Sequence, residues 1–256
     1  AMGSGTQAAR GVADLILIED GFSALASAIG EGQRILNGMQ DILRVFLTRI
    51  LTLGMLILVL MTSGFFPVDL RNASAITLFT VGIPTALLAI WSRPGPMYRE
   101  SLLRTLAKFV LPAAELAAVI GLLVVTGVFL IGDADFEAGL VTEEMVENSA
   151  KTSVTVFLIL VGMLVIVFVE PPIKLLAVIE PISPDWRPTW LALGLTSALG
   201  IVLLVPPFRD FFNLHPLSIR DLSIVLAGVL VWTVLVWIFW RWRWVERFLG
   251  ADIEGA

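Results

Sequence analysis

The sequence predicts an all-α membrane protein: six transmembrane helices, the first continuous with a cytoplasmic stalk helix and preceded by a short remnant of an α/β domain. Three observations carry that expectation. Of 256 residues, 57% are hydrophobic and only 15% charged, and the mean hydropathy of +0.92 is far above that of a soluble domain of this size. Six stretches (residues 45–62, 73–91, 109–131, 153–169, 190–205 and 222–240) meet or approach the roughly 20 apolar residues that cross a bilayer core as helix. No proline interrupts residues 23–62, so one helix is expected to run from a polar segment straight into the first span.

The polar start comes first. The run ADLILI at residues 13–18 has the look of a short buried strand. Asp20, Gly21 and Ser23 then supply turn and N-cap material. From there Leu25, Ile29, Ile35, Leu36, Met39, Ile42 and Leu43 recur mostly at three- and four-residue spacing, the stripe of an amphipathic stalk. The divisions follow as 1–22 for the domain remnant, 23–44 for the stalk, 45–240 for the transmembrane domain and 241–256 for a cytoplasmic tail. Of the spans, the fourth and fifth are short and call on flanking residues to reach the interfaces.

Several function classes drop out. Without cysteine there is neither a disulfide framework nor a thiolate metal site. The single histidine, His215, excludes a multi-histidine cluster. A net charge of −5 argues against a nucleic-acid partner, which needs a basic face; the bilayer is the partner that the composition implies. Residues 1–10 lack the charged start and apolar run of a secretory signal, and they open as if mid-domain, so a fragment is expected.

Orientation follows from lysine and arginine. With the N-terminus in the cytoplasm, Arg10, Arg34, Arg44, Arg93, Arg99, Arg104, Lys108, Lys174, Arg187, Arg241, Arg243 and Arg247 fall inside; only Arg71, Lys151, Arg209 and Arg220 fall outside. Both termini are then cytoplasmic, and the plasma (inner) membrane is the expected location. A long outer loop between the third and fourth spans carries Asp133, Asp135, Glu137, Glu143, Glu144 and Glu147; it could gather cations or be plain solvated surface. Trp186, Trp190, Trp240, Trp242 and Trp244 sit at span ends and read as interface anchors.

Residues 1–43 resemble the end of the phosphorylation domain and the stalk of P-type cation-transporting ATPases of the HAD type. Met2, Gly3, Gly5, Thr6, Ala13, Asp14, Asp20, Phe22, Ile29, Glu31, Gly32, Arg34, Ile35 and Asn37 stand at that family's spacing. The resemblance implies the C-terminal, membrane-embedded half of an ATP-driven pump, with a transported cation such as calcium or magnesium and the missing N-terminal half as partners. It implies no cofactor in this chain, and ATP and magnesium for the complete protein. The family's DKTGT and GDGxND motifs are absent from the sequence, so ATP hydrolysis by this chain alone is not expected. A non-catalytic six-span module (a split subunit or degenerate remnant) and a lipid-translocating member of the family are the other readings.

An ion pathway is read from the first three spans. In the second, Thr77, Thr80 and Pro84 follow one helical face. Pro84 has no N–H for the Thr80 carbonyl, and Gly82 permits local unwinding; freed carbonyls and threonine hydroxyls suit a hard cation. An ordinary proline kink is the other reading. Where calcium, sodium and proton pumps of the family carry an acidic residue, this sequence has Val81, and Thr77 takes the place of the family's asparagine, so a site with two carboxylates is not expected. In the first span Thr48 and Thr52 lie one turn apart, beside Arg49. Arg49 lies about 7 Å deeper than Arg44 at helical rise, within reach of snorkelling to the cytoplasmic interface. Alternatively it is a built-in counter-charge: facing a divalent ion at about 6 Å, it would be repelled by roughly 5 kcal/mol at a dielectric of about 20. Glu115 is the acid well inside a span, either a pathway group or one reaching back to the cytoplasmic interface near Lys108.

Overall fold

The structure is a computed structural model describing residues 1–18, 23–94, 102–178, 183 and 185–242. Asp20, Gly21, Phe22, Arg99, Arg243, Trp244, Arg247 and the tail from residue 243 lie outside the described residues.

Thr6 caps a short helix, α1 (Gln7–Gly11), by accepting from the Ala9 amide at 3.3 Å. The run at 13–18 is not a buried strand. Its one ladder contact is an isolated parallel bridge between Met2 and Leu17, and Ile18 is 88% exposed. A strand is stable only with neighbours to pair and an apolar face to cover; among the described residues only the first three, Ala1 to Gly3, come alongside.

α2 (Ser23–Met61) is the uninterrupted stalk-and-span helix that its sequence predicts. The second span is built from α3 (Leu70–Thr77), a π-helical turn (Leu78–Gly82) and α4 (Ile83–Trp91). α5 (Leu102–Glu137), α6 (Glu143–Val169), α7 (Arg187–Leu204), a short α8 (Pro206–Phe211) and α9 (Ile219–Arg241) follow among the described residues. Six of these units are long and apolar enough to cross a membrane. α6 is the central post: it packs against α2, the second span, α5, α7 and α9, and Val154, Phe157, Ile159 and Ile166 are fully buried on it. Among the described residues there is no β-strand.

Three expectations change. The acidic stretch between the third and fourth spans is not a long loop: α5 runs on through Asp133, Asp135 and Glu137, and α6 begins at Glu143. The turn between them needs Gly139 at φ +72°. Thr142 then caps α6, with Glu143 and Glu144 in its first turn, where the helix dipole favours carboxylates. The fourth span is therefore long rather than short, at 27 residues, and it ends where Pro171 restricts Glu170. The third change is Trp240, which is 4% exposed and stacks on Phe109 with ring centroids 4.7 Å apart. It is core rather than interface anchor. Trp186, Trp190 and Trp242 are exposed as expected.

The outer end of the second span is pinned. Asp69 accepts from Asn213 Nδ2 at 3.2 Å and pairs with Lys151, which also reaches Glu147 at 2.8 Å. In the orientation that satisfies both ends of its amide, buried Asn72 donates to the Phe212 and Asn213 carbonyls at 2.6 and 3.1 Å.

Candidate functional site

Pro84 bends the second span in a specific way. Lacking an N–H, it cannot bond the Thr80 carbonyl, and the turn before it widens: the Ile83 amide donates to Leu78 O, five residues back. Such π-turns concentrate at functional sites. The wider turn also separates residues that share a face in a regular helix. Thr80 and Pro84 are buried, whereas Thr77 and Gly82 are exposed and Val81 is half-buried. The single face expected for Thr77, Thr80 and Pro84 is therefore split.

Thr80 meets the first span. A cavity of roughly 20 Å³, large enough for one water, is lined by Thr48, Arg49, Thr52 and Thr80, with Gly162 and apolar side chains of α6 closing it. Thr48 and Thr52 are each 3% exposed and Thr80 2%. Every hydroxyl proton is committed to a carbonyl one turn back: Thr48 to Arg44 O at 2.7 Å, Thr52 to Thr48 O at 2.8 Å, Thr80 to Ile76 O at 2.6 Å. The hydroxyl oxygens keep lone pairs, so the group is suited to accept from water or to ligate a hard cation.

Gly162 is a residue that sequence reasoning missed. A Cβ built there would stand 2.5 Å from Thr80 Cγ2 and 2.8 Å from Thr80 Cβ, so the close approach of α6 to the π-turn requires glycine. Its signal was present: a lone small residue in an otherwise bulky span marks a helix contact in membranes. Ser153 Oγ and Thr155 Oγ1, buried in α6 without partners among the described residues, were also passed over.

Arg49 does not snorkel to the cytoplasmic end. It reaches sideways across the cavity, and its Nη2 donates to Thr77 Oγ1 at 2.5 Å. Thr77 stays oriented by donating to Ala73 O at 2.7 Å. Arg49 Nε is buried without a hydrogen-bond partner among the described residues. A positive charge therefore stands at the cavity, whose lining holds no carboxylate among the described residues.

Glu115 is not brought to this site. Ala114 O lies 3.4 Å from Thr52 Oγ1, midway along the first span, and Ala113 O accepts from Trp232 Nε1 at 3.1 Å, midway along α9. Glu115 thus sits near mid-depth, not at the cytoplasmic interface, and its side chain is exposed on the outer face of α5.

A second polar assembly joins the stalk to the span ends. Arg34 donates from Nε to Ser92 O at 2.9 Å and from Nη2 to Ile90 O at 3.1 Å, while Ser92 Oγ returns a bond to Arg34 O at 2.6 Å. Asn37 Nδ2 donates to Arg93 O at 3.2 Å. Gly38 makes the approach possible, since a Cβ there would lie 2.8 Å from Ser92 Oγ. Arg93 pairs with buried Asp185 at 3.0 Å; the Asp185 amide donates to Ser183 Oγ at 3.2 Å, and Ser183 Oγ donates to Glu170 at 3.0 Å. The stalk, the second span and the end of the fourth are thereby linked in one chain of contacts.

Burial pushes the Glu170 carboxyl above its ordinary pKa; Asp185 adds to this, while the Ser183 hydrogen bond and Arg93 oppose it. A carboxyl raised on folding contributes stability that is complete below its unfolded pKa and lost as pH rises through the folded one. Glu170→Gln, which can still accept from Ser183, is expected to flatten that loss. Thermal midpoints from pH 4 to 7 check this: the variant should gain on the wild type as pH rises.

Six apolar helices, one of them extended as a stalk, define an integral membrane protein with a hydroxyl-lined site inside its bundle. No family model matches the chain. Calcium-transporting ATPase CtpE of Mycolicibacterium smegmatis is 23% identical over 264 residues, covering 98% of this chain, and that of Mycobacterium bovis is 25% identical over 265 residues with the same coverage. An endoplasmic reticulum-type calcium-transporting ATPase of Arabidopsis thaliana is 23% identical over 286 residues, covering 88% of the chain. The chain is thus similar to calcium-transporting P-type ATPases across nearly its whole length, and it spans about 30% of the length of the curated relatives that it matches first.

Proposed function

We propose that the chain is the membrane-transport half of an ATP-driven P-type cation pump, with the cavity between the first, second and fourth spans as its ion pathway. The observation that carries the reading is the convergence of Thr48, Thr52 and Thr80, three buried hydroxyls with free lone pairs, on a proline-induced π-turn. A site of this kind binds a dehydrated cation by oxygen ligation. Arg49, held at the cavity by its bond to Thr77, acts as the built-in counter-charge: it keeps the site electrostatically closed until the cation displaces it from the cavity. The stalk contacts at Ser92 carry motion from the phosphorylated part of the pump, which supplies ATP and magnesium chemistry, to the π-turn. Calcium is the cation favoured by the relatives' names, with magnesium the second choice. On this reading the pump sits in the plasma membrane with both termini of the chain cytoplasmic, as twelve inner basic residues against four outer ones support.

The test is ATP hydrolysis by the purified full-length protein, titrated with calcium, magnesium, manganese, sodium and potassium in turn. Saturable stimulation by calcium is the expected result. Stimulation only by a phospholipid would replace the cation pump with the lipid-translocating reading.

A further inference from the structure

Two hydroxyls in α6 break the pattern of the others. Thr48, Thr52, Thr77 and Thr80 each donate to the carbonyl four residues back, as do Thr126 on α5 and Thr233 on α9; this is a common way to satisfy a hydroxyl inside an apolar helix. Thr155 Oγ1 and Ser153 Oγ are fully buried and make no hydrogen bond among the described residues, and a buried polar group left unpaired calls for a reason. Position separates the two. Lys151, Thr155, Leu158 and Gly162 follow at spacings of four, three and four, so they share one face of α6, and Ser153 lies on the opposite side. That face meets the second span at both ends: Lys151 Nζ pairs with Asp69 at 3.7 Å, and Gly162 abuts Thr80. The two pairs have the same separation in sequence, so the helices run parallel and in register, and Thr155 falls opposite Ala73 between them. At helical rise it stands about 10 Å outward of Gly162 and about 6 Å inward of Lys151.

We propose that the seam between the second span and α6 is the outer half of the cation route, in which Thr155 is an oxygen ligand between the cavity and the outer surface and the Lys151–Asp69 pair is the gate. The inference rests on the reading of the chain as the transport half of a cation pump. The Thr155 oxygen, unpaired in the closed seam, is the hydroxyl nearest the outer end of this face, and a hard cation shedding its other ligands is bound by such oxygens. The gate opens by exchange. Lys151 holds two carboxylates, Glu147 at 2.8 Å and Asp69 at 3.7 Å, so a cation arriving at Asp69 takes the longer of the two contacts and leaves the ammonium on Glu147. Two carboxylates against one ammonium leave the group net negative, which favours the exchange. Asp69 keeps its bond from Asn213 Nδ2 at 3.2 Å throughout, which holds it in place. Beyond the gate lies a cavity of roughly 400 Å³ lined by Asp133, Glu143 and Glu147, where Glu147 joins the gate to an acidic outer mouth that draws cations by its field. Arg49 on Thr77 and Lys151 on Asp69 thus guard the two ends of one route along the second span.

The chain contains no cysteine, which suits thiol labelling. In the full-length protein freed of other cysteines, purified and placed in lipid nanodiscs, Thr155→Cys is compared with Ser153→Cys, equally buried on the same helix but facing away from the seam. The probes are a methanethiosulfonate bearing a trimethylammonium group and its sulfonate analogue, each rate divided by that of the same reagent with free cysteine. The cationic reagent is expected to modify position 155 at least tenfold faster than position 153, and the anionic one to modify position 155 at least fivefold more slowly than the cationic one. Adding Lys151→Met, which keeps the stem and removes the ammonium, should raise the cationic rate at position 155 at least threefold and leave position 153 unchanged. Should the Thr155→Cys protein fail to fold, Ala73→Cys across the seam carries the same expectations. Equal rates at the two α6 positions, equal rates for the two reagents at position 155, or a rate there that Lys151→Met does not raise each overturn the proposal. The readout does not use ATP. Cation-stimulated hydrolysis in a protein whose position 155 stays shielded therefore sinks the seam alone, whereas the predicted labelling in a protein without such hydrolysis sinks the pump reading alone.

Discussion

Gly162→Leu in the full-length protein is expected to lower cation-stimulated ATP hydrolysis at least tenfold. The reason is steric. Even a methyl at this position would enter the space of Thr80, with approaches of 2.5 and 2.8 Å, and a leucine must displace the π-turn or fill the cavity. Overpacking of this kind costs about 1–3 kcal/mol, so a modest fall in thermal midpoint should accompany the loss. The matched control is Gly194→Leu on α7, where an added Cβ meets nothing within 4 Å; it should stay within about 0.5 kcal/mol of the wild type with hydrolysis unchanged. A fall in activity much larger than the stability change explains would locate the effect in the cavity.

The second large effect is expected at the stalk. Arg34→Ala removes both guanidinium bonds to the end of the second span. Because its side chain is 39% exposed, solvent screens part of their value, and the loss of stability should be only about 1–2 kcal/mol. The functional loss should be larger. With the guanidinium bonds to Ser92 O and Ile90 O gone, only the Ser92 Oγ bond to the main-chain carbonyl of residue 34 and the Asn37 bond to Arg93 O are left. Movement of the stalk then pulls less firmly on the second span, and cations transported per ATP should fall by half or more while hydrolysis continues. Arg34→Lys should recover little, since one ammonium cannot span two carbonyls as the planar guanidinium does. Parallel measurement of uptake and phosphate release in reconstituted vesicles checks the ratio.

Much of this architecture was legible in the sequence, for physical reasons that also explain the failures. The helix from Ser23 to Met61 was readable because apolar spacing and the lack of proline act locally. The helical ends around Asp133 and Glu143 were not, because hydropathy detects only the part of a helix that matches hydrocarbon, while acidic residues outside it extend the helix freely. Trp240 has the composition of an interface anchor; only its rotation toward Phe109 makes it core.

The candidate site divides the same way. Thr48, Thr52 and Thr80 stood out as hydroxyls in apolar spans, and Pro84 announced a distortion. The form of that distortion, a π-turn that separates Thr77 from Thr80 rather than a plain kink, is not specified by the proline alone, and the contact of Thr80 with Gly162 joins residues far apart in the sequence. Glu115 was visible as an intramembrane acid, yet whether it faces the pathway or the outside is set by how α5 is rotated between α2 and α9, which periodicity in so uniformly apolar a helix does not define. Arg49 had two directions open to it, and the hydroxyl of Thr77 decides between them.

The cavity hydroxyls themselves give the most direct test. Thr80→Val keeps the shape of the side chain and removes only its oxygen. In the full-length protein, the cation concentration that gives half-maximal uptake into vesicles is predicted to rise at least tenfold, with the thermal midpoint nearly unchanged. Half-saturation equal to that of the wild type, in a folded and active Thr80→Val protein, would contradict the placement of the ion pathway at Thr48, Thr52 and Thr80.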